Sequence, residues 1–168
     1  MIRIGKIVAT HALQGAMVMT HIVGNAKWLK KGDALMLEMH KGSYIPFFVD
    51  GCKANNDEEY IINLEETVTM EAARRLIGKH VYVNEDVLGK FAKDSPLLWI
   101  GFKVIDKDKG ELGIVDDMMQ TPTQWIAQMK YQGKEVLIPL VEQTIDGVDL
   151  KKKILHLDLP EGLLEVYL

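Results

Sequence analysis

Ile4-Gly5-Lys6-Ile7-Val8-Ala9-Thr10-His11-Ala12-Leu13-Gln14-Gly15-Ala16-Met17-Val18-Met19-Thr20-His21-Ile22-Val23 reads as strand, loop, strand. Ile4, Ile7 and Val8 lie in a β-rich run that ends at Thr10 to Gly15. In Ala16 to Val23, residues Val18, Thr20 and Ile22 alternate against Met17, Met19 and His21, the period-two pattern of a half-buried strand. The pattern continues downstream. Lys31-Gly32-Asp33 marks a turn before Ala34 to Met39, where Leu35, Leu37 and Met39 share one face. Tyr44 to Val49 and Tyr60 to Leu64 are two more runs, separated by Lys53-Ala54-Asn55-Asn56-Asp57-Glu58-Glu59, whose Asn and Asp favour turns. Strands this short and this evenly spaced predict a barrel or a sandwich. One segment departs from the pattern: Thr69 as a cap, Glu71 in the first turn, Arg74 and Arg75 in the last and Gly78 beyond predict a short helix. Val81 to Val83 returns to strand character.

Asn84 to Pro96 is polar with little periodicity and reads as a boundary, placing an N-terminal domain at 1–88, a linker at 89–96 and a C-terminal domain at 97–168. Beyond it the sequence predicts strands at Leu98 to Ile105, Leu112 to Met119, Trp125 to Tyr131, Glu135 to Ile138, Ile145 to Val148 and Ile154 to Leu159. The turns fall at Asp106 to Gly110, Gln132-Gly133 and Asp149 to Lys153. Strand pairing in this second unit cannot be read from local pattern. Pro96-Leu97-Leu98-Trp99-Ile100-Gly101-Phe102 is the densest apolar stretch. As one alternating strand it would set Leu97, Trp99 and Gly101 opposite Leu98, Ile100 and Phe102, one set for the core and one for a neighbour.

The chain has 168 residues, enough for one domain or two small ones, and 48% of them are hydrophobic, enough to build a core. No run of apolar residues reaches a membrane-spanning length, and Arg3 and Lys6 interrupt the first apolar stretch, so neither a signal peptide nor a membrane helix is expected. The lone Cys52 cannot form an internal disulfide or supply a thiolate cluster, and a reducing cytoplasm is the default. Residues 1–90 carry 11 Lys/Arg and 11 Asp/Glu, whereas residues 91–168 carry 9 and 13, so the net charge of −4 lies in the second part. A protein that grips many phosphates is usually strongly basic; with three arginines in all, any RNA contact is expected to be small or indirect.

No catalytic centre is legible. His11, His21, His40, His80 and His156 lack the spacing of a helical metal motif; His21 and His40 could meet across a sheet, but no third ligand is evident. Asp116 and Asp117 should point to opposite faces of a strand, and they and Asp106-Lys107-Asp108 read as solvated carboxylates. Cys52 has Lys53 beside it but no evident base, and reads as an inert thiol. No phosphate-binding glycine loop occurs. Lys30-Lys31 and Lys151-Lys152-Lys153 read as exposed turns. A ligand pocket around His11, His21 or Cys52 is the alternative to a binding protein, and neither a cofactor nor a metal is expected.

Ile4-Gly5-Lys6-Ile7-Val8 with His11-Ala12-Leu13-Gln14-Gly15, the helix at Glu71 to Gly78, Gly101 to Ile105, Gly110 to Gly113, Glu135 to Pro139, Val148-Asp149 and Leu157 to Leu164, in this order, resemble the RimM ribosome maturation factor family. The resemblance implies a mainly β fold of two small barrels, an N-terminal translation-factor-like barrel with one short helix and a C-terminal PRC-barrel. It implies a non-enzymatic factor; the balanced charges and the lack of an amphipathic basic helix argue against membrane attachment, and a cytoplasmic monomer is expected. Such a factor binds small-subunit ribosomal protein S-nineteen and the immature 30S subunit with its 16S rRNA, and promotes head maturation and rRNA processing. His11, Leu13 and Gly15 match the family's N-terminal loop and are expected to meet the pre-subunit. Ala12 stands where the family has Gly and Ala16 where it has an acid, so the loop geometry is expected to differ, since a left-handed backbone is costly for Ala. Where relatives carry an aromatic pair this chain has Asp94-Ser95-Pro96, which leaves Leu97, Leu98 and Trp99 as the candidate contacts for the ribosomal protein.

Overall fold

Alternating apolar residues produce six strands in the N-terminal half: β1 (Ile2–His11), β2 (Ala16–His21), β3 (Ala34–His40), β4 (Ser43–Asn56), β5 (Glu59–Leu64) and β6 (His80–Val83). They are hydrogen-bonded in the order β1-β2-β5-β4-β3-β6, and β6 returns to β1 to close a barrel. Met17, Met19, Leu35, Leu37, Ile62 and Val81 point inward with no exposed surface, each burial contributing about 1.5–3 kcal/mol. Strict alternation fails in β1, where Ile4 and Ile7 are both fully buried although three residues apart. The ladder register shifts between Arg3 and Gly5 and again between Ile7 and Ala9. These bulges bend the strand as barrel closure requires and turn Val8 outward.

A computed structural model describes residues 1–24, 27–92 and 94–168. The chain divides into two compact units, Met1–Asp94 and Ser95–Leu168. In the first, the polar run at 53–59 is mostly strand: Lys53 pairs with Ile61 and Ala54 with Tyr60, and only Asp57 and Glu58 form the turn. Ladder pairing satisfies the backbone while the polar side chains stay outside, so composition alone misplaced the end of β4. Helix α1 (Met70–Arg74) is capped by Thr69, whose Oγ1 accepts the Ala72 N–H at 3.1 Å. A second helix, α2 (Glu85–Phe91), occupies the stretch that shows little periodicity; it buries Leu88 alone among its described side chains, too little for a helical repeat to appear in the sequence. Lys93 of the expected linker lies outside the described residues.

In the second unit Pro96–Trp99 is a turn of 3₁₀ helix where the sequence predicts a strand. Ser95 Oγ accepts the Leu97 N–H at 3.3 Å, Pro96 fixes the first φ, and Gly101, at φ 88°, redirects the chain. Six strands follow: β7 (Lys103–Asp106), β8 (Gly110–Gln120), β9 (Trp125–Tyr131), β10 (Lys134–Leu140), β11 (Ile145–Asp149) and β12 (Ile154–Leu157). Their order is β10-β9-β8-β7-β12-β11, with β12 parallel to β7. Gln132 and Gly133, at φ 49° and 78°, make the expected two-residue hairpin. A register shift between Val115 and Asp117 buries both Val115 and Met118 and leaves Asp116 and Asp117 outside the core together, so the two carboxylates do not take opposite faces.

Two polar side chains tie this unit together. Asp106 is 3% exposed, not solvated. Its Oδ1 accepts the Leu159 N–H at 2.9 Å, and its Oδ2 accepts those of Asp108 at 3.0 Å and Lys109 at 2.9 Å. Burial opposes ionisation of this carboxyl, but the three N–H groups outweigh it and hold its pKa below the usual value. Buried Thr144 donates within reach of the Pro139 and Val141 carbonyls, at 2.9 and 3.0 Å, clasping the corner between β10 and β11.

Candidate functional site

The loop between β1 and β2 is set by two backbone positions. Gly15, at φ 79°, lies so close to the Thr67 carbonyl that a Cβ there would meet its oxygen at 2.1 Å. The loop therefore packs on the segment before α1, and Gly15 is buried, shaping the loop and presenting no side chain. Ala12 adopts φ 60°, the left-handed backbone that a glycine accommodates freely, at a cost of about 1–2 kcal/mol for a residue with a Cβ. Between these positions Leu13 is 78% exposed, and Val68 on the adjoining segment is 69% exposed. Neither contributes to the core. His11 is exposed at the same end of the barrel.

In the second unit the three candidate contacts separate. Leu97 has no exposed surface and belongs to the core, so it presents nothing for a partner to touch; Leu98 and Trp99 are half-buried. Near the C-terminus Leu164 is buried, Tyr167 donates to the Leu137 carbonyl at 3.1 Å, and Val166 is exposed.

The pocket alternative brings together only part of its set. His11 pairs with Ala16 and His21 with Gly5, roughly 20 Å apart along the strand. His21 and His40 do not meet either, because β2 and β3 are not neighbours in the barrel. His21 instead lies buried against Trp28 and Tyr60, with ring centroids 5.5 and 5.3 Å away. Its Nδ1 accepts the Val23 N–H at 3.3 Å, while Nε2 and Trp28 Nε1 are buried with no hydrogen-bond partner among the described residues. Cys52 joins the edge of this cluster, donating to the Leu29 carbonyl at 3.3 Å. Burial lowers the His21 pKa to about 4, against the pull of Asp57. Burial and the negative charge of Asp33 push the Cys52 thiol up. Both shifts run opposite to a reactive thiolate–imidazolium pair. Among the described residues no His, Cys, Asp or Glu groups are placed to hold a metal ion. The exposed Lys31 pairs with Asp50 at 3.4 Å, and Lys151, Lys152 and Lys153 lie in an exposed turn.

One further surface lies on the first barrel. On β4, Tyr44, Pro46 and Phe48 alternate on the outer face of the barrel, opposite Glu38, Met36 and Ala34 of β3. Tyr44 meets Tyr82 of β6 edge-on at 4.8 Å, and Tyr82 donates to Glu38 Oε2 at 3.1 Å. Tyr44 and Phe48 lie four residues apart with Pro46 between them, and two rings at an even spacing in an apolar strand read equally well as core.

Residues 2–88 match the family model described as the RimM N-terminal domain, and residues 99–163 the model described as the RimM PRC barrel domain. A ribosome maturation factor RimM of Parabacteroides distasonis is 31% identical over 172 residues, covering 98% of this chain and 95% of that protein. The one from Christiangramia forsetii is 28% identical over 167 residues, covering 98% and 95%. A crystal structure described as a 16S ribosomal RNA processing protein RimM, from Pseudomonas aeruginosa, aligns at 18% identity and a TM-score of 0.42, over 95% of this chain and 97% of that one.

Proposed function

The chain belongs to the RimM family of ribosome maturation factors, and from that membership we propose that it is a non-enzymatic, cytoplasmic assembly factor acting as a monomer. In this reading it binds small-subunit ribosomal protein S-nineteen and the immature 30S subunit, and promotes head maturation and 16S rRNA processing. The observation that carries the reading is the ordered match of both family domains across one chain. The charge distribution supports a division of labour. Ser95–Leu168 carries 8 Lys against 12 Asp/Glu, a balance that attracts a basic ribosomal protein and repels RNA, with Leu98 and Trp99 supplying short-range apolar contact. The neutral first unit offers the exposed Leu13, beside His11, to the pre-subunit. No helix among the described residues is long and apolar enough to cross a membrane.

The test is binding of purified full-length chain to S-nineteen and to immature small subunits at moderate salt. Trp99→Ala is expected to weaken the first about tenfold or more, as truncation of an interface aromatic does. Leu13→Ser is expected to weaken only the second, with stability changed by less than about 0.5 kcal/mol. Failure of the parent chain to bind either partner would sink the proposal.

A further inference from the structure

The outer face of the first barrel combines three features that the proposed function does not use. Tyr44 and Phe48 are 38% and 41% exposed at alternate-face positions of β4, with Tyr82 against the first of them. The Tyr44 and Phe48 side chains are each more than half covered by their neighbours yet keep over a third of their surface in solvent, where that apolar area is available to a ligand. At the Tyr44 end of this row lies an open basin of about 420 Å³ lined by Glu38, His40, Lys41, Lys79 and His80. The Lys79 ammonium is held there by the Met39 carbonyl at 2.9 Å. Arg3 and Lys6 of β1 stand opposite Tyr82 and His80 on the neighbouring ladder. Glu38, the carboxylate within this group, is occupied by the Tyr82 hydroxyl and the Gly42 N–H at 3.1 Å each.

Aromatic rings in a row beside a cluster of cations match one ligand chemistry closely. Bases of a single strand stack on rings whatever their identity, and its phosphates seek lysine, arginine and imidazolium groups. An acidic protein segment would use the cations but gains little from the two rings on β4. A second copy of this chain would bring the same cations against themselves. We propose that the outer face of β4, β3 and β6 is a stacking platform for a short single-stranded segment of RNA, with bases on Tyr44 and Phe48 and a phosphate in the basin between Lys41 and His80. The proposal rests on the reading that this unit faces the pre-subunit, and it adds the chemical class of the contact and the residues that make it.

The experiment titrates a fluorescently labelled single-stranded oligouridine RNA with the full chain and follows anisotropy at two salt concentrations. Tyr44→Ala and Phe48→Ala are each expected to weaken binding about five- to hundredfold, the range for loss of one base–ring stack. Tyr44→Phe, which keeps the ring, is expected to bind like the parent, and circular dichroism checks that each variant is folded. Lys41→Gln is expected to flatten the salt dependence by about 0.7 in the log–log slope, as loss of one phosphate contact does. The platform is overturned if both alanine variants bind the RNA as the parent does, or if they lose affinity for S-nineteen and not for RNA. It is also overturned if Tyr44→Phe falls with Tyr44→Ala. Co-sedimentation with immature subunits separates the two levels: a parent chain that sediments while its ring variants keep full RNA affinity defeats only the platform. A parent chain that binds oligouridine through its rings yet ignores the subunits defeats the assembly reading and leaves the platform standing.

Discussion

The two units each build a small core from six short strands, by different means. The first closes through its backbone: β6 returns to β1, and bulges in β1 supply the bend. Its interior holds a polar cluster in which His21 Nε2 and Trp28 Nε1 have no hydrogen-bond partner among the described residues. The second orders its strands from β10 to β11 and relies on side chains at the ends, Asp106 with three N–H groups and Thr144 with two carbonyls. The contrast extends to electrostatics. His21 is held neutral because burial penalises its charge, whereas Asp106 is held charged because its hydrogen bonds outweigh the same penalty. A buried ionisable group thus weakens one unit toward acid gradually, and in the other acts as a fastening that fails only when its charge is lost.

The sharpest way to break this contrast is to remove the fastening. Asp106→Ala leaves the buried Leu159 N–H without its acceptor and gives up two part-buried bonds from Asp108 and Lys109, and is expected to destabilise the second unit by about 2–3 kcal/mol. Hydrogen exchange should then accelerate at the amides of β7 and β12 and stay unchanged in β1 and β2; acceleration in both units would show that they are not energetically separate.

Acid should act next, and on the other unit. An unfolded imidazole takes up its proton near 6.5 and His21 in the barrel near 4, so below 6.5 the unfolded state binds more protons. The stability from keeping His21 neutral is fully present above pH 6.5 and is lost as the pH falls toward 4, about 3 kcal/mol in all. Denaturant midpoints read by Trp28 fluorescence should follow that slope, and His21→Phe should flatten it. Asp106 has the opposite sense: its folded pKa is depressed, so its contribution is present above the ordinary carboxylate value of 3.8 and is lost only as the pH drops below it. A second unit that loosens between pH 6.5 and 4 together with the first would contradict the comparison.

The smallest effect belongs to the loop. Ala12→Gly relieves a left-handed residue and should raise the stability of the first unit by about 0.5–1 kcal/mol, part of the relief being offset by the freer unfolded chain. An unchanged or lower melting temperature would mean that the strain at φ 60° is absorbed elsewhere.

Much of the fold was legible because it is local. Strand starts, the Thr69 cap and the Gln132-Gly133 hairpin are each dictated within a few residues by alternation, capping oxygens and left-handed turn positions. The errors share one cause. Ile4 with Ile7, and Val115 with Met118, are buried pairs three residues apart, and the bulge that reconciles them exists only in the pairing with another strand. Pro96 to Gly101 looked like a strand because its residues are apolar, but Ser95, Pro96 and Gly101 fixed a tight turn that sends Leu97 into the core.

The candidate site divides along the same line. Sequence alone determined that the chain is mainly β, that its acidic excess lies in the second part, and that His11, Leu13 and Gly15 match a family loop, since composition and motif need no partner in space. Only the tertiary structure decided that Gly15 is packed against Thr67 while Leu13 is free, that Asp106 is a buried fastening, and that Tyr44, Phe48 and Tyr82 share one outer face with Lys41 and His80. Burial and neighbourhood are properties of contacts between residues far apart in the chain, and no local period carries them.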